Sequence, residues 1–308
     1  MRMFLRYILL FALVCDGRSQ DAVFSSDVKV VSLLATVRDP SGAIVGNLAK
    51  DDFQLEEDGR PQTIRYFSRE SDLPLTIVLL VDTSQSMETV FEPERAASNR
   101  FLEQVLREDR DVAAVVHFDV KVEALQNFTS SRQKLAAALA RLKIPSRAST
   151  LLYDGIKQSS EDLMRKRSGR KAFILLSDGL DVRSRTSIGT AVEYAQRADT
   201  IIYSILFSHP RPALSATTTA RRAGRGPRVM RRLARETGGG FFEVSSDTPI
   251  DKIYAQIEDE LRNQYSVGYT SDSDVTTGND ASGTYRKLKL TTAKEGLVVR
   301  TRDGYYPK

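Results

Sequence analysis

The sequence predicts an α/β fold: a doubly wound, mostly parallel sheet inserted between two β segments that pair into one small β-sandwich. Two observations carry this. Four apolar runs, Leu75–Val81, Val112–Phe118, Ala172–Ser177 and Ile201–Phe207, alternate with helical patterns. Short unbroken apolar runs mark strands covered on both faces by helices. On either side of this stretch the chain turns to β formers and turn residues, too few on each side to bury a core alone.

The elements follow in order. Met1-Arg2-Met3-Phe4-Leu5-Arg6 precedes an apolar run from Tyr7 to Cys15, and Gly17-Arg18-Ser19 follows. A basic start, a short apolar stretch and a small-x-small exit predict a secretory signal peptide over residues 1–19. The run is short for a membrane span. Retention as an anchor is one alternative. Lipidation at Cys15 is another, disfavoured by Val14, where the attachment motif wants a small residue. Cleavage after Ser19 removes the sole cysteine, and export without disulfides fits a bacterial envelope protein.

Residues 27–72 read as an N-terminal β segment. Val28–Val37 is rich in β formers, Asp39-Pro40-Ser41-Gly42 is a turn, Asp51–Pro61 holds a strand and a turn, and Gln62–Phe67 alternates. Leu73-Pro74 marks a boundary, since proline interrupts a continuing element. The α/β domain then spans 73–263. Its helical patterns are Glu92–Arg107, Ser131–Leu142, Leu151–Arg165 and Ser187–Arg197, with Val122–Phe128 as a short edge strand. A helix at Arg228–Glu236 meets Thr237-Gly238-Gly239-Gly240 and a strand at Phe241–Val244, and the last helix is Pro249–Leu261. Residues 264–308 return to β character at Tyr265–Tyr269, Tyr285–Thr291 and Leu297–Thr301, around a Ser/Asp/Gly-rich loop at Ser271–Gly283 that reads as mobile.

Composition narrows function. Of 308 residues 41% are hydrophobic, enough for a packed core, and 45 basic against 40 acidic residues make a mixed surface. That balance, without tryptophan or a recognisable motif, argues against nucleic-acid binding.

The chemistry concentrates in Leu75–Met87, LTIVLLVDTSQSM. The apolar strand stops at Asp82, and oxygen-bearing Asp82, Ser84 and Ser86 stand at alternate positions. Open α/β sheets place their ligand sites outside the carboxyl ends of the strands. One carboxylate and two hydroxyls in such a turn suit a hard cation such as Mg²⁺. Two later segments join this motif: Ser149-Thr150-Leu151-Leu152-Tyr153-Asp154, and Phe173-Ile174-Leu175-Leu176-Ser177-Asp178-Gly179. With them the chain resembles the von Willebrand factor type A domain, a Rossmann-like fold, and its metal-ion-dependent adhesion site. That family combines Asp-x-Ser-x-Ser with a distant threonine and a distant aspartate in this order. The flanks Leu48–Phe53 and Arg302–Tyr306 resemble the ends of a bacterial, acidobacterial-type branch, and integrins likewise insert such a domain in a β-sandwich.

The resemblance implies a metal set of Asp82, Ser84, Ser86, Thr150 and Asp178. Ser84, Ser86 and Thr150 are then direct ligands, and the two aspartates act largely through water. Neutral hydroxyl donors leave the cation electron-poor, so a partner protein's Asp or Glu carboxylate is the implied further ligand. Mg²⁺ or Mn²⁺ suits such a site better than the larger Ca²⁺. The resemblance also implies that the last helix, Pro249–Leu261, shifts against the sandwich on ligand binding. The implied role is a secreted or periplasmic, non-catalytic binding module with no transmembrane span after signal cleavage.

The alternatives are a structural envelope or complex-assembly component whose metal only stabilises the fold, and a metal-dependent hydrolase. Asp82 after a buried strand is similar to the nucleophile of haloacid-dehalogenase-type phosphatases, but those want a second acid two residues on, where Ser84 stands. No Ser-His-Asp constellation or P-loop supports catalysis. Met87 reads as rim or core. Asp154 reads as a hydrogen-bonding residue of the helix turn. Asp181 is either a support behind the metal ligands or an exposed loop acid, and Asp119 reads as a turn residue. The arginines Arg221, Arg222, Arg225, Arg228, Arg231, Arg232 and Arg235 read as a solvated loop entering a helix. His117 and His209 lack metal-spaced companions and read as core and loop residues.

Overall fold

The computed structural model describes residues 30–69, 73–147, 149–207, 224–271 and 284–307. The signal segment with Cys15, and His209, Arg221 and Arg222, lie outside the described residues, as does the Ser271–Gly283 loop beyond Ser271. Strands β1 (Val30–Arg38), β2 (Phe53–Glu57), β3 (Arg60–Gln62) and β4 (Ile64–Arg69) come first. The α/β portion follows as β5 (Leu75–Asp82), α1 (Phe91–Val105), β6 (Val112–Phe118), β7 (Val122–Thr129), α2 (Arg132–Ala140), α3 (Leu152–Asp162), β8 (Arg170–Ser177), α4 (Ile188–Arg197), β9 (Ile201–Phe207), α5 (Arg225–Thr237), β10 (Phe241–Val244) and α6 (Ile250–Arg262). The chain closes with β11 (Tyr265–Thr270), β12 (Arg286–Thr292), β13 (Val298–Arg300) and β14 (Gly304–Tyr305).

The central sheet has six strands in the order β10-β9-β8-β5-β6-β7, all parallel except the antiparallel edge strand β7. Every residue of β5 and β8 is buried. The two-residue period of a strand divides their side chains between two cores. Leu75, Ile77, Leu79 and Val81 pack with Phe101, Leu139, Tyr254 and Ile257 of α1, α2 and α6. Val78 and Leu80 pack with Ile156, Val192 and Leu233 of α3, α4 and α5. From β5 the chain first moves to β6 on one side, and later elements build outward from β8 on the other. The crevice beyond the carboxyl ends of β5 and β8 is therefore a topological switch point.

The flanking segments interleave. One four-stranded sheet runs β13-β1-β11-β4 and another β14-β12-β2-β3, each drawing strands from both ends of the chain. They enclose a third core that includes Leu33, Val37, Leu55, Val267, Leu290 and Tyr305. Phe67 stacks on Tyr265 within it and Phe53 meets both rings at an angle, at centroid separations of 5.2–5.6 Å. Inside this core Glu57 and Arg286 form a buried ion pair at 2.9 Å, a feature the strand pattern does not announce. Helix α6 runs almost directly into β11, and Glu260 near its end accepts from Arg38 Nη2 of β1 at 2.6 Å and Arg300 Nη1 of β13 at 2.8 Å. The last helix of the α/β portion is thus clamped to the sandwich by two guanidinium groups.

Helix α5 begins at Arg225, three residues before the helix expected at Arg228–Glu236, so Arg225 joins Arg228, Arg231, Arg232 and Arg235 on it. Gly226, Val229, Met230, Leu233 and Ala234 take its buried face. Arg231 lies over the Phe241 ring at 4.6 Å, Arg232 pairs with Glu236 and Arg235 with Asp303. Among the described residues no helix is long and apolar enough to cross a membrane.

Candidate metal centre

Strand β5 delivers Asp82 to the switch point fully buried. Its Oδ1 accepts from the Ser84 amide at 2.9 Å, and its Oδ2 accepts from Ser177 Oγ at 2.6 Å. The first bond closes an Asx-type turn that directs the chain away from the strand. A 3-10 turn at Gln85–Met87 then brings Ser86 Oγ to 2.9 Å from Ser84 Oγ. Met87 is buried in the core and anchors this turn. Thr83 bonds on the β6 side: its hydroxyl donates to Asp119 Oδ2 at 2.7 Å and lies 3.0 Å from His117 Nδ1. Asp119 also accepts from the Val120 and Lys121 amides, so it holds its own turn and the end of β5.

Asp178 follows the last residue of β8, next to β5. Its Oδ1 accepts from the Leu180 amide at 3.0 Å. Gly179 adopts φ +74°, which favours glycine, and its amide donates to Ser177 Oγ at 2.9 Å. Helix α5 approaches this corner closely: a Cβ on Gly226 would stand 2.1 Å from the Asp178 carbonyl oxygen.

Thr150 reaches the same region from the loop before α3 and is buried. Its carbonyl accepts from the Val182 amide at 3.0 Å, which ties it to the segment following Asp178. Asp181 Oδ1 accepts from Ser184 Oγ at 2.5 Å and from the Tyr153 amide at 3.4 Å. Asp154 accepts from the Arg185 and Thr186 amides at 3.0 and 2.9 Å. Both acids thus stitch the start of α3 to the loop after β8.

The electrostatics are unusual for a mixed-charge surface. Burial, then the neighbouring Asp178 charge, pushes the Asp82 carboxyl up to about 7, against the pull of Ser177 and Ser84. Glu94 on α1 is buried with neither carboxyl oxygen hydrogen-bonded, and burial followed by Asp82 raises it well above the ordinary range. A divalent cation would relieve the Asp82–Asp178 repulsion, and every polar group offered here is an oxygen donor. Among the described residues no group of three or more His, Cys, Asp or Glu is placed to hold a metal. The candidate donors are mainly hydroxyls. Ser84, Ser86 and Thr150 would hold the ion, with Asp82 and Asp178 supplying charge.

Sequence reasoning missed Ser177, Glu94 and Gly226. Ser177 stood in the Ser-Asp-Gly context, so its signal was present. Glu94 lay on a helix whose partner face the pattern did not reveal, and Gly226 matters only through a long-range approach.

Residues 76–256 match the model of the von Willebrand factor type A domain. No curated protein sequence matches the chain. The fold is similar to that of proximal thread matrix protein 1 from the mussel byssus, at 15% identity and TM-score 0.52, over 67% of this chain and 51% of that one. A structure of the same mussel protein described as having a zinc-occupied MIDAS motif aligns at 14% identity and TM-score 0.50, over 67% of this chain and 50% of that one. A von Willebrand factor type A protein from Catenulispora acidiphila aligns at 13% identity and TM-score 0.51, over 85% of this chain and 75% of that one. The chain spans about half the length of the mussel protein.

Proposed function

The chain belongs to the von Willebrand factor type A domain family, and from that premise we propose that it is a secreted or periplasmic, non-catalytic module that binds a partner protein's carboxylate through a divalent cation. Domains of this family are typically adhesion or protein-binding modules. The observation that carries the reading is the switch-point cluster. Buried Asp82 lies close enough to Asp178 for the two charges to repel, next to the neutral Ser84 and Ser86 hydroxyls 2.9 Å apart. Ser84, Ser86 and Thr150 as direct ligands leave Mg²⁺ or Mn²⁺ with unspent positive charge, which an Asp or Glu from outside would satisfy. The zinc-occupied MIDAS of the mussel protein, which shares the fold, supports a divalent ion in this position. An extracytoplasmic location rests on the signal-like segment over residues 1–19. The domain limits we propose are 27–72, 73–263 and 264–308, with the outer two forming the sandwich.

The test is calorimetric titration of Mg²⁺ and Mn²⁺ into the chain and into a Ser84→Ala/Ser86→Ala variant. One binding event, lost in the variant while its unfolding transition stays intact, is the expected result. Equal binding by both proteins rejects the site.

A further inference from the structure

Beside Thr150, three loops at the carboxyl edge of the central sheet enclose a groove of about 510 Å³, lined by Val120, Arg147, Ser149, Leu151 and Arg183. Val120 of this lining is 42% exposed, and Val182, next to Arg183 in the chain, is 60% exposed. Arg147 and Arg183 are exposed and neither has a carboxylate partner among the described residues. Other surface arginines, such as Arg100 with Asp251, Arg197 with Glu193 and Arg232 with Glu236, are held by carboxylates of this chain.

The acids nearest the groove are occupied. Asp119 accepts from Thr83 and two backbone amides, Asp181 from Ser184 and Tyr153, and Asp154 from Arg185 and Thr186. Lys121 is paired with Glu123. None of these acids forms an ion pair with Arg147 or Arg183, whose guanidinium groups line the groove. The groove also shares its wall with the metal-site candidate. Ser149 and Leu151 flank Thr150, whose carbonyl accepts from the Val182 and Arg183 amides at 3.0 and 3.4 Å.

We propose that this groove receives the part of the partner adjoining its metal-bound carboxylate, and that this part is an acidic peptide segment. One further acidic side chain meets Arg147 and Arg183, and one aliphatic side chain packs on Val120 and Leu151. The inference rests on the metal-site reading and adds to it the partner's chemistry: two acidic residues and an aliphatic one within a single short segment. Charge complementarity supplies selectivity and encounter rate, and the apolar contact supplies the slower dissociation.

The experiment is selection of a displayed library of short random peptides on the full chain in Mg²⁺, in parallel with Arg147→Glu/Arg183→Glu and Ser84→Ala/Ser86→Ala. Wild type is expected to enrich peptides carrying two acids and an aliphatic residue. The charge reversal is expected to cut their enrichment about tenfold while leaving calorimetric Mg²⁺ binding unchanged. Identical peptides enriched by wild type and the charge reversal, or no peptide enriched at all, overturns the groove. Enrichment that depends on the arginines but survives both chelation and the serine variant overturns the metal reading and leaves the groove as an acidic-peptide site.

Discussion

Ser177 Oγ donates a 2.6 Å hydrogen bond to Asp82 Oδ2, joining the carboxyl ends of the two central strands across 95 residues of sequence. The same oxygen accepts from the Gly179 amide, so one hydroxyl orients both the buried carboxylate and the loop that carries Asp178. Removing it as Ser177→Ala leaves a buried carboxylate one donor short. The expected cost is about 1–3 kcal/mol of stability, with Mg²⁺ affinity falling about 10–100-fold. Denaturant unfolding and calorimetry measure the two effects, and unchanged affinity would show that the Ser177 bond does not orient Asp82 for the ion.

Gly226 and Asp178 are in backbone contact, and the site loop has no room to retreat because Gly179 in turn lies against the Gly226 carbonyl. Gly226→Ala is expected to destabilise the chain by about 1–3 kcal/mol through overpacking and to weaken metal binding by displacing Asp178. Gly189→Ala is the control, since its new methyl would meet nothing nearer than 3.7 Å. If both variants behave alike, the approach of α5 does not position the site.

Glu94 is expected to be a stability liability. Both of its carboxyl oxygens are buried without a hydrogen-bond partner. Burying a carboxyl without hydrogen bonds is costly, and an apolar side chain of similar size avoids that cost. Glu94→Met should therefore keep or raise the unfolding free energy. A loss above about 2 kcal/mol would show that the carboxyl makes an interaction the fold requires.

Acid should loosen the sandwich through Glu57. Burial alone pushes its carboxyl up, but Tyr269, Ser271, Tyr305 and Arg286 together hold it below the ordinary glutamate range. A carboxyl depressed in the folded state contributes stability above its unfolded value of about 4.3, and that contribution is lost as pH falls through the folded value. Stability is therefore expected to decline below about pH 4, and less so in Glu57→Gln. That variant should itself cost about 3–5 kcal/mol by removing the buried negative charge that Arg286 meets at 2.9 Å. Parallel acid-unfolding curves for the two proteins would remove Glu57 as the cause.

Much of this protein was legible in its residues because the governing signals are local. The unbroken runs at Leu75–Val81 and Ala172–Ser177 could satisfy water exclusion only between two helical layers, and they are buried throughout β5 and β8. The alternation of Asp82, Ser84 and Ser86 placed oxygen donors at a strand end whatever lay around them. Periodicity names a face without naming its partner. That Ser177 meets Asp82, that Gly226 crowds Asp178, and that Glu260 gathers Arg38 and Arg300 are long-range pairings. Folding selects them by packing and by the cost of leaving a buried charge unmatched. For the same reason the Glu57–Arg286 pair became a buried feature of the sandwich only when the two ends of the chain came together.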